Sequence, residues 1–337
     1  ADGPRSVLHG LRRALGSQLE ADTQRPVFQR AVTPTTKFGG DSPDAIYHEC
    51  NIGAELSYRI RGNMAGAVYV SLSVQSGGGE AEGVGASINS DQFEVKPDGS
   101  FEVLLSRTPP ADTRNWVRMP DGALNVLTRH YFEEPGNVMA DTARRLDLEI
   151  SAIGDFPAPR EPTVESIAAG IERVSRWMRS RTLEESKGRT AIPSWVSIVP
   201  NRFNEPEKPG AGMAYAALDI AYAMAPFHVP PGKALVMSGR FPACRYAGVV
   251  LWSRFRQSFD YMNRRVSLNR AQTVTDGAGN YRIVLADRDP GVPNWLDTGG
   301  RTSGFMYWRF LLPEEPVAAP RCELVDIDAL RDCPGFS

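Results

Sequence analysis

The strongest constraint on the fold of this chain is an internal repeat, in which two halves carry the same motifs about 180 residues apart. Asn115-Trp116 recurs as Asn294-Trp295, and each pair is followed by a glycine-containing loop and an apolar segment. Each of those segments ends in the same acidic exit, Glu133-Glu-Pro135 in the first half and Glu314-Glu-Pro316 in the second. Because both the order and the spacing are kept, the repeat predicts two similar domains in tandem.

Each half shows the hydrophobic pattern of short β-strands. Residues 55–61 alternate between polar and apolar side chains, and residues 67–74 have the pattern of a more buried strand. Residues 93–95 and 101–105 flank a turn at Pro97-Asp-Gly99, which is typical of a hairpin. Short hairpin-linked strands with few helices predict a mostly β fold of two tandem β-sandwich domains, of jelly-roll type.

Two helices are expected outside the strands. Leu8, Leu11, Leu15 and Leu19 recur at helical spacing, which predicts an N-terminal helix with these leucines on one buried face, docked on a domain or on a neighbouring subunit. Thr163 is a suitable N-cap for a second, linking helix, whose apolar stripe should pack across the domain junction. The stripe consists of Val164, Ile167, Ile171, Val174 and Met178.

These patterns divide the chain of 337 residues, which has the length of about two domains, into five segments. They are an N-terminal helix and loop at 1–44, a first β-sandwich domain at 45–155, a helical linker at 156–212, a second β-sandwich domain at 213–315 and a C-terminal tail at 316–337. The proline-rich stretch 157–162 marks the start of the linker.

The composition of the chain limits the classes of partner and the cellular locations that we expect. The 38 Lys and Arg residues and 40 Asp and Glu residues give a net charge of −2, which argues against a nucleic-acid or anionic-membrane partner. No apolar run reaches the ~18–20 residues that cross a bilayer, so we expect no transmembrane segment. Cys50 and Cys244 should be buried thiols, whereas Cys322 and Cys333 could close a loop in the tail. A cytoplasmic location is favoured, and secretion stays open if a signal segment was removed before Ala1.

Three motifs carry a resemblance to a known family. They are Phe38-Gly-Gly-Asp-Ser-Pro-Asp44, Gly239-Arg-Phe-Pro-Ala-Cys-Arg245 and Asp289-Pro-Gly-Val-Pro-Asn-Trp-Leu296. With them the chain resembles the bacterial family called domain of unknown function 1214, whose relatives often pair that domain with domain of unknown function 1254. The resemblance implies a 1254-like half preceding the 1214 domain, β-sandwich domains and frequent oligomers, and it transfers no catalytic residue.

The second half concentrates charged and aromatic residues that suit ligand recognition. Arg240, Arg245, Trp252, Arg254 and Asp260 fall within about twenty residues. On the expected strand around Trp252, alternation places Trp252 and Arg254 on one face, and a guanidinium beside an aromatic ring suits a carboxylate or a sugar hydroxyl. The alternative is that these arginines pair with nearby aspartates and brace the interface between the domains.

A second polar stretch contains Asp287 and Asp289, followed by Asn294 and Trp295. Two carboxylates at a suitable separation can act as general acid and base in glycoside cleavage, with Asn294 and Trp295 contributing to the ligand site. Two alternatives stay open. Asp-x-Asp before Pro-Gly is also an ordinary turn, and an Asn-Trp pair present in both halves is typical of a structural role.

Together these residues predict that the second domain binds a small-molecule ligand, polar or glycan-like, near the domain junction, with hydrolytic or lyase action on it as an open question. The alternative is a non-enzymatic structural or assembly module in which the same residues are internal bracing. We expect no metal and no other cofactor, because the four histidines lack metal-ligand spacing. A homo-oligomer is the expected assembly.

Overall fold

The computed structural model describes residues 2–19, 21–77, 83–159, 161–184 and 191–332. The first half contains helix α1 (Asp2–Gln18) and strands β1 (Gln29–Arg30), β2 (Ala45–Asn51), β3 (Ser57–Asn63), β4 (Tyr69–Ser76), β5 (Gly83–Asn89), β6 (Ser100–Ser106), β7 (Trp116–Arg118), β8 (Ala123–Tyr131) and β9 (Leu148–Ile153). Helix α2 (Val164–Arg179) follows, and a π-helical turn, Ser180–Glu184, continues it.

The second half contains strands β10 (Ile220–His228), β11 (Lys233–Arg240), β12 (Tyr246–Trp252), β13 (Ser267–Asn269), β14 (Asn280–Ala286), β15 (Trp295–Asp297), β16 (Ser303–Leu311) and β17 (Arg321–Asp326). Short 3₁₀ turns lie at Val138–Ala140, Arg270–Gln272 and Ile327–Asp332. Because β17 pairs with β11, the second sandwich reaches at least Asp326, beyond the expected boundary at residue 315.

The strands form four sheets whose order is the same in the two halves. Sheet 1 has the order β1-β2-β8-β4-β5 and sheet 3 the order β10-β16-β12-β13. Sheet 2 has the order β7-β6-β3-β9 and sheet 4 the order β15-β14-β11-β17. Apart from β1, every strand of the first half therefore has a counterpart in the second. The mostly β fold with two sandwiches is confirmed.

The repeated Asn-Trp motif occupies the same place in both sandwiches. Trp116 pairs in parallel with Leu104 on β6, and Trp295 pairs in parallel with Val284 on β14. In each half the asparagine backbone carbonyl accepts a hydrogen bond from the strand residue that pairs with the tryptophan, at 2.8 Å from Leu104 N and 3.0 Å from Val284 N. The motif therefore adds the same short parallel strand to both sandwiches.

Alternation along the central strands separates a sandwich interior from an outer face. On β8, His130 contacts Phe101 of sheet 2, with ring centroids 6.5 Å apart, so its side chain lies inside the first sandwich. The neighbouring Tyr131 lies on the opposite face, as the period of a strand requires, and its ring centroid is 5.2 Å from that of Tyr246 on β12. The outer faces of sheets 1 and 3 therefore meet between the two sandwiches.

The N-terminal helix forms as predicted, but the face of α1 that docks on this chain is polar and does not contain the leucines. His9, Arg13 and Ala14 are buried, whereas Leu8 is 63%, Leu11 36% and Leu15 46% exposed. The helix docks through the Arg13–Glu49 ion pair to β2 and through His9 Nδ1, 3.2 Å from Gln257 Oε1, to the second sandwich. These polar contacts orient the helix with its leucines outward.

The prediction for α2 holds at its N-terminus and is wrong for most of its stripe. Thr163 caps the helix, since its Oγ1 accepts a hydrogen bond from Ser166 N at 3.2 Å. Val164 is 80%, Ile167 49% and Ile171 55% exposed, however. The buried side of α2 lies on α1, which it approaches where Arg173 Nε donates to Gln18 O at 3.0 Å.

The described cysteines are free thiols, and the described helices do not have the character of membrane spans. Cys50 is buried, and Cys244 and Cys322 are partly buried free thiols. Cys333 lies outside the described residues, so the expected tail loop stays a prediction. Neither of the two α-helices in the described ranges is long and apolar enough to cross a membrane.

Candidate functional site

The arginines predicted from the second half do not share a site. Arg245 is exposed and pairs with Asp91 of the first sandwich, with 2.9 Å between Nη2 and Oδ2. Arg240 and Arg254 are exposed as well, and the Arg254 guanidinium lies 5.5 Å from the Phe255 ring. The bracing alternative fits Arg245, although its partner comes from the other domain and not from the nearby aspartates.

Asp260 lies in the loop between β12 and β13, and Asp287 and Asp289 lie in the loop between β14 and β15. Asp260 accepts hydrogen bonds from Met262 N and from Asn263 Nδ2, at 3.1 and 2.9 Å. Asp287 and Asp289 are exposed, and Asp289 Oδ1 accepts from Gly291 N at 2.8 Å, as an ordinary turn does. This geometry supports the turn alternative for the aspartates that we expected to act as acid and base.

Asn294 and Trp295 have structural contacts. Asn294 Oδ1 accepts from Val274 N at 2.8 Å, and its Nδ2 donates to Arg282 O at 3.0 Å. Asn115 makes the equivalent pair of contacts in the first sandwich, from Glu94 N and to Glu102 O. Trp295 Nε1 donates to Ala286 O at 3.2 Å. Of the predicted ligand-binding residues, Trp252 alone lies in the buried contact region between the sandwiches, on the outer face of sheet 3.

That contact region carries an arginine on the central strand of each half. Arg129 on β8 pairs across strands with Tyr47 and Ser71, and Arg309 on β16 pairs with Tyr222 and Gly248. Both arginines are only 3% exposed. We call these two residues, together with four neighbouring tyrosines, the arginine–tyrosine cluster. Its members are Arg129, Arg309, Tyr47, Tyr131, Tyr222 and Tyr307.

Arg309 is held from one side only. Its Nη2 donates to the carbonyl oxygens of Gly40 and Asp41, in the Phe38–Asp44 loop that follows α1. Its guanidinium carbon lies 4.5 Å from the Tyr307 ring centroid and 5.2 Å from the Trp252 ring centroid. Within the described ranges, its Nε and Nη1 make no hydrogen bond and no carboxylate lies within ion-pair distance.

Arg129 is held by the chain segment that enters the second sandwich. Its Nη1 donates to Ser73 Oγ at 2.7 Å, and its Nη2 donates to Tyr215 O at 2.8 Å. Tyr215 has a φ of +58°, which a bulky residue rarely adopts, and Gln75 Oε1 accepts a hydrogen bond from its amide at 2.7 Å. Arg129 likewise has no carboxylate at ion-pair distance in the part of the chain that is described.

The buried carboxylates near Arg309 are engaged elsewhere. Asp41 accepts two hydrogen bonds from Ser258, one from its amide at 2.8 Å and one from its hydroxyl, and burial raises the pKa of Asp41. Asp44 Oδ2 accepts from the Tyr246 hydroxyl at 2.8 Å. Burial raises the pKa of Asp44 to about 7, and the hydrogen bond from Tyr246 acts against that rise. Asp44 therefore carries only part of a negative charge at neutral pH.

A glycine makes the Asp44 contact possible. The Tyr246 ring lies across Gly248, where a Cβ atom would come 2.3 Å from the Tyr246 hydroxyl. The absence of a side chain at Gly248 therefore lets Tyr246 reach over the strand to Asp44. Gly248 is also the residue that pairs with Arg309 on the neighbouring strand, so the Tyr246 ring lies next to the position of this arginine.

Three tyrosines of the cluster, Tyr47, Tyr222 and Tyr307, are neutral hydrogen-bond donors and acceptors. Burial raises the pKa of Tyr47, Tyr222 and Tyr307, although Arg309 acts to lower each of them. Arg129 also acts on Tyr47 and Tyr222, which places both guanidinium groups within electrostatic reach of the same two hydroxyls. The hydroxyls of Tyr47 and Tyr131 lie 3.3 Å apart, whereas that of Tyr307 has no partner among the described residues.

Other candidate sites are weaker. A groove of about 400 Å³ on the first sandwich is lined by residues 86–88, 92, 113, 114 and 116–118, and it is open to solvent. Residues 94, 102, 104, 110, 112, 114 and 115 line a second open groove beside it. Neither groove contains a residue of the arginine–tyrosine cluster. The described residues include no group of three or more His, Cys, Asp or Glu side chains that could hold a metal ion.

Two solved structures resemble the chain over most of its length. An uncharacterized protein from Burkholderia cenocepacia is 28% identical, with a TM-score of 0.82 over 98% of this chain and 89% of its own. The VPA0106 protein from Vibrio parahaemolyticus is 11% identical, with a TM-score of 0.54 over 95% of this chain and 96% of its own. The second likeness shows the fold alone, and no curated protein matches the chain.

A family model identifies part of the chain. Residues 80–135 match the family described as "Protein of unknown function (DUF1214)". The resemblance to this family is thereby confirmed for the segment that contains Asn115, Trp116 and Arg129. The match lies in the first half, where we expected a half that resembles domain of unknown function 1254. That second resemblance is not confirmed and stays a prediction.

Proposed function

We propose that the protein binds a small organic acid between its two sandwiches, with the acid group on the guanidinium of Arg309 and within reach of Arg129. The observation that carries the proposal is a pair of almost fully buried arginines without carboxylate partners in the described part of the chain. Arg309 keeps two nitrogen atoms, Nε and Nη1, without a hydrogen-bond partner there. These two nitrogens lie on different edges of the guanidinium, so each has a donor free for an oxygen of an acid group.

The burial of Arg129 and Arg309 without carboxylate partners in the described residues supports a bound ligand rather than internal bracing. A charged group taken out of water loses several kcal/mol of solvation unless pairing and hydrogen bonds offset the loss. Arg13 shows how this chain does so, since Glu49 binds it with both carboxylate oxygens. Arg129 and Arg309 have carbonyl and hydroxyl acceptors only, so a bound anion would complete their coordination.

The proposed ligand lies at the domain junction, as the sequence predicted, but the residues that would bind it are different. The expected small polar ligand would contact β8 and β16, and not the exposed turns at Arg240, Arg254 and Asp287. We propose no reaction, because no pair of carboxylates in the described structure faces the arginine–tyrosine cluster with geometry for acid–base catalysis. Asp44 is hydrogen-bonded to Tyr246, and Asp41 to Ser258.

Replacement of Arg309 by Gln should weaken binding of a small carboxylate at least tenfold, because the variant loses the charge and the two free donors. The measurement is calorimetric titration of acetate, benzoate and glucuronate, preceded by a thermal-shift survey in which a bound ligand raises the melting temperature. Arg254→Gln is the matched control, since it removes an exposed arginine. Tyr307→Phe, which keeps the ring, provides a second test if Arg309→Gln fails to fold. Absence of binding to the wild-type protein, or equal binding by the variants, would contradict the proposal.

A second candidate function is assembly, and the two helices favour it. We define the helical surface as the exposed apolar residues of α1 and α2. Its large members are Val7, Leu8, Leu11, Leu15, Val164, Ile167 and Ile171. Exposed Arg5 and Arg12 flank the α1 part, whereas exposed Glu165 and Glu172 flank the α2 part. Because the charges are complementary, we propose that α1 of one copy docks on α2 of a second copy.

Ile167→Glu should shift the protein from dimer to monomer in sedimentation velocity, because it places a charge in the apolar part of this interface. Leu11→Glu should act in the same way from the α1 side. Leu324→Glu is the matched control. Leu324 is exposed to a similar extent, at 42%, but it lies on strand β17, away from the helices. A monomeric wild-type protein, or an equal effect of Leu324→Glu, would refute docking of a second copy on the helical surface.

A further inference from the structure

We infer that the acid bound at the arginine–tyrosine cluster is an aromatic carboxylate and not an acidic sugar. This inference rests on the proposed function and names the class of its ligand. It follows from two features of the cluster that are independent of its charge, namely the aromatic rings beside Arg309 and the shortage of acceptor atoms around it.

The rings form a continuous aromatic wall. Tyr307 stacks on Trp252, with ring centroids 4.0 Å apart and planes 22° apart. Tyr222 lies 5.3 Å from Tyr307, and Trp195 lies 5.4 Å from Tyr222 and 5.9 Å from Tyr307. Aromatic pairs gain about 0.5–1.5 kcal/mol beyond the burial of their area, so a further ring beside this wall would be stabilised.

The linker supplies one part of this wall. Trp195 belongs to the segment 191–212, and its carbonyl accepts a hydrogen bond from Met224 N on β10 at 3.0 Å. Trp195, Tyr222 and Tyr307 keep 7–8% of their surface exposed, whereas Trp252 keeps 1%. The three partly open rings are therefore the ones that a ligand ring could contact, with Trp252 behind Tyr307.

The atoms around Arg309 donate hydrogen bonds more readily than they accept them. Guanidinium groups have donors only. Carbonyl oxygens of Gly40 and Asp41 accept from Arg309, and that of Asp41 also accepts from Trp252 Nε1 at 3.0 Å. The side chains of Asp41 and Asp44 accept from Ser258 and Tyr246. The acceptors that remain among the described residues are Asp44 Oδ1, which has no hydrogen-bond partner, and the tyrosine hydroxyls.

This balance discriminates between the two ligand classes. A sugar acid presents several hydroxyl groups, each of which requires an acceptor when it is buried, and an unsatisfied one costs about 1–3 kcal/mol. An aromatic acid requires donors for its carboxylate and an apolar surface for its ring. The cluster offers the second combination, since the edge of Arg309 provides donors and Tyr307, Tyr222 and Trp195 provide the surface.

The experiment compares four probes by calorimetric titration against the wild-type protein, namely benzoate, cyclohexanecarboxylate, glucuronate and inorganic phosphate. We expect benzoate to bind at least tenfold more tightly than each of the other three. Tyr307→Leu and Trp195→Leu should remove most of the preference for benzoate over cyclohexanecarboxylate, because they remove rings from the wall. Trp116→Leu, which changes a partly buried tryptophan of the first sandwich, is the control and should keep the preference.

The outcomes separate this inference from the proposed function. If glucuronate or cyclohexanecarboxylate binds as tightly as benzoate and Arg309→Gln abolishes binding, the organic-acid site stands and the aromatic class is wrong. If phosphate alone binds, the aromatic class is also wrong. If none of the four probes binds, the proposed function itself fails for these ligands and the inference falls with it.

Discussion

Replacement of Glu49 by Leu should lower the free energy of unfolding by about 3–5 kcal/mol, the loss expected when one partner of a buried ion pair is removed. The side chains of Arg13 and Glu49 are only 5% and 6% exposed. Arg13 Nε donates to Glu49 Oε1 at 2.8 Å and its Nη2 donates to Oε2. The variant leaves the Arg13 guanidinium buried against the Phe38 ring, 3.9 Å away, without its carboxylate.

Urea denaturation followed by tryptophan fluorescence measures this loss. The double variant Arg13→Met/Glu49→Leu should recover most of it, because the pair is then replaced by apolar side chains and no charge is left buried. Asp328→Ala is the matched control, since it breaks the Arg288–Asp328 pair of 2.7 Å on the surface, where an ion pair contributes little. A loss for Glu49→Leu no larger than that of the control would contradict a stabilising role for the carboxylate.

The repeat allowed two similar β domains to be predicted, because it relates whole segments of the chain and not single residues. Asn115-Trp116 and Asn294-Trp295 identify equivalent loops whatever the surrounding residues are. The strands between the motifs then had to pair in equivalent ways, and the order of sheets 1 and 2 recurs in sheets 3 and 4. A local hydrophobic pattern would have predicted strands at these positions without indicating that the two sets correspond.

The helices show where a local pattern fails. Amphipathicity predicts which face is buried by assuming that the helix docks on an apolar surface. In α1 the docking surface is polar, because Arg13 meets Glu49 and His9 meets Gln257, which lies 248 residues away in the chain. No spacing within residues 2–18 carries information about partners so distant in sequence, so the pattern of leucines could not indicate which face of α1 docks on this chain.

The candidate site was missed for a related reason. Arg240, Arg245 and Arg254 are close in sequence, which suggested a cluster, but turns and strand ends display them at the surface. Arg129 and Arg309 are about 180 residues apart, and the polar alternation around each is also typical of a sheet with one face in water. The signal that could have found them is their equivalent position in the repeat. An arginine at the same position of both central strands indicates that the two residues have the same role.

Two histidines of the first sandwich, the buried His130 and the partly buried His48, should each lower the stability as the pH falls from 6.5 to 5, because the fold holds them in the neutral form. Asp44, whose pKa is raised to about 7, acts in the opposite direction over this range. Burial, with a smaller contribution from His48, lowers the pKa of His130 to about 3, and burial, followed by Arg30, lowers the pKa of His48 to about 4. The unfolded chain binds these protons near pH 6.5 and the folded chain does not. The stabilisation is therefore complete above pH 6.5 and is lost as the pH falls, by about 2 kcal/mol for each histidine at pH 5.

Replacement of His130 by Leu should remove about half of this acid sensitivity, since His48 remains. An apolar side chain suits the position, because Phe310 occupies the equivalent place on β16, inside the second sandwich. The measurement is the free energy of unfolding in urea at several pH values from 8 to 5. The slope of this free energy against pH tests the prediction, because the value at pH 8 also includes any change in packing. His228→Leu is the control, because the exposed His228 is solvated in both states and its loss should keep the slope. If the His130 variant keeps the slope of the wild-type protein, the imidazole of His130 is not the group that destabilises the fold in acid.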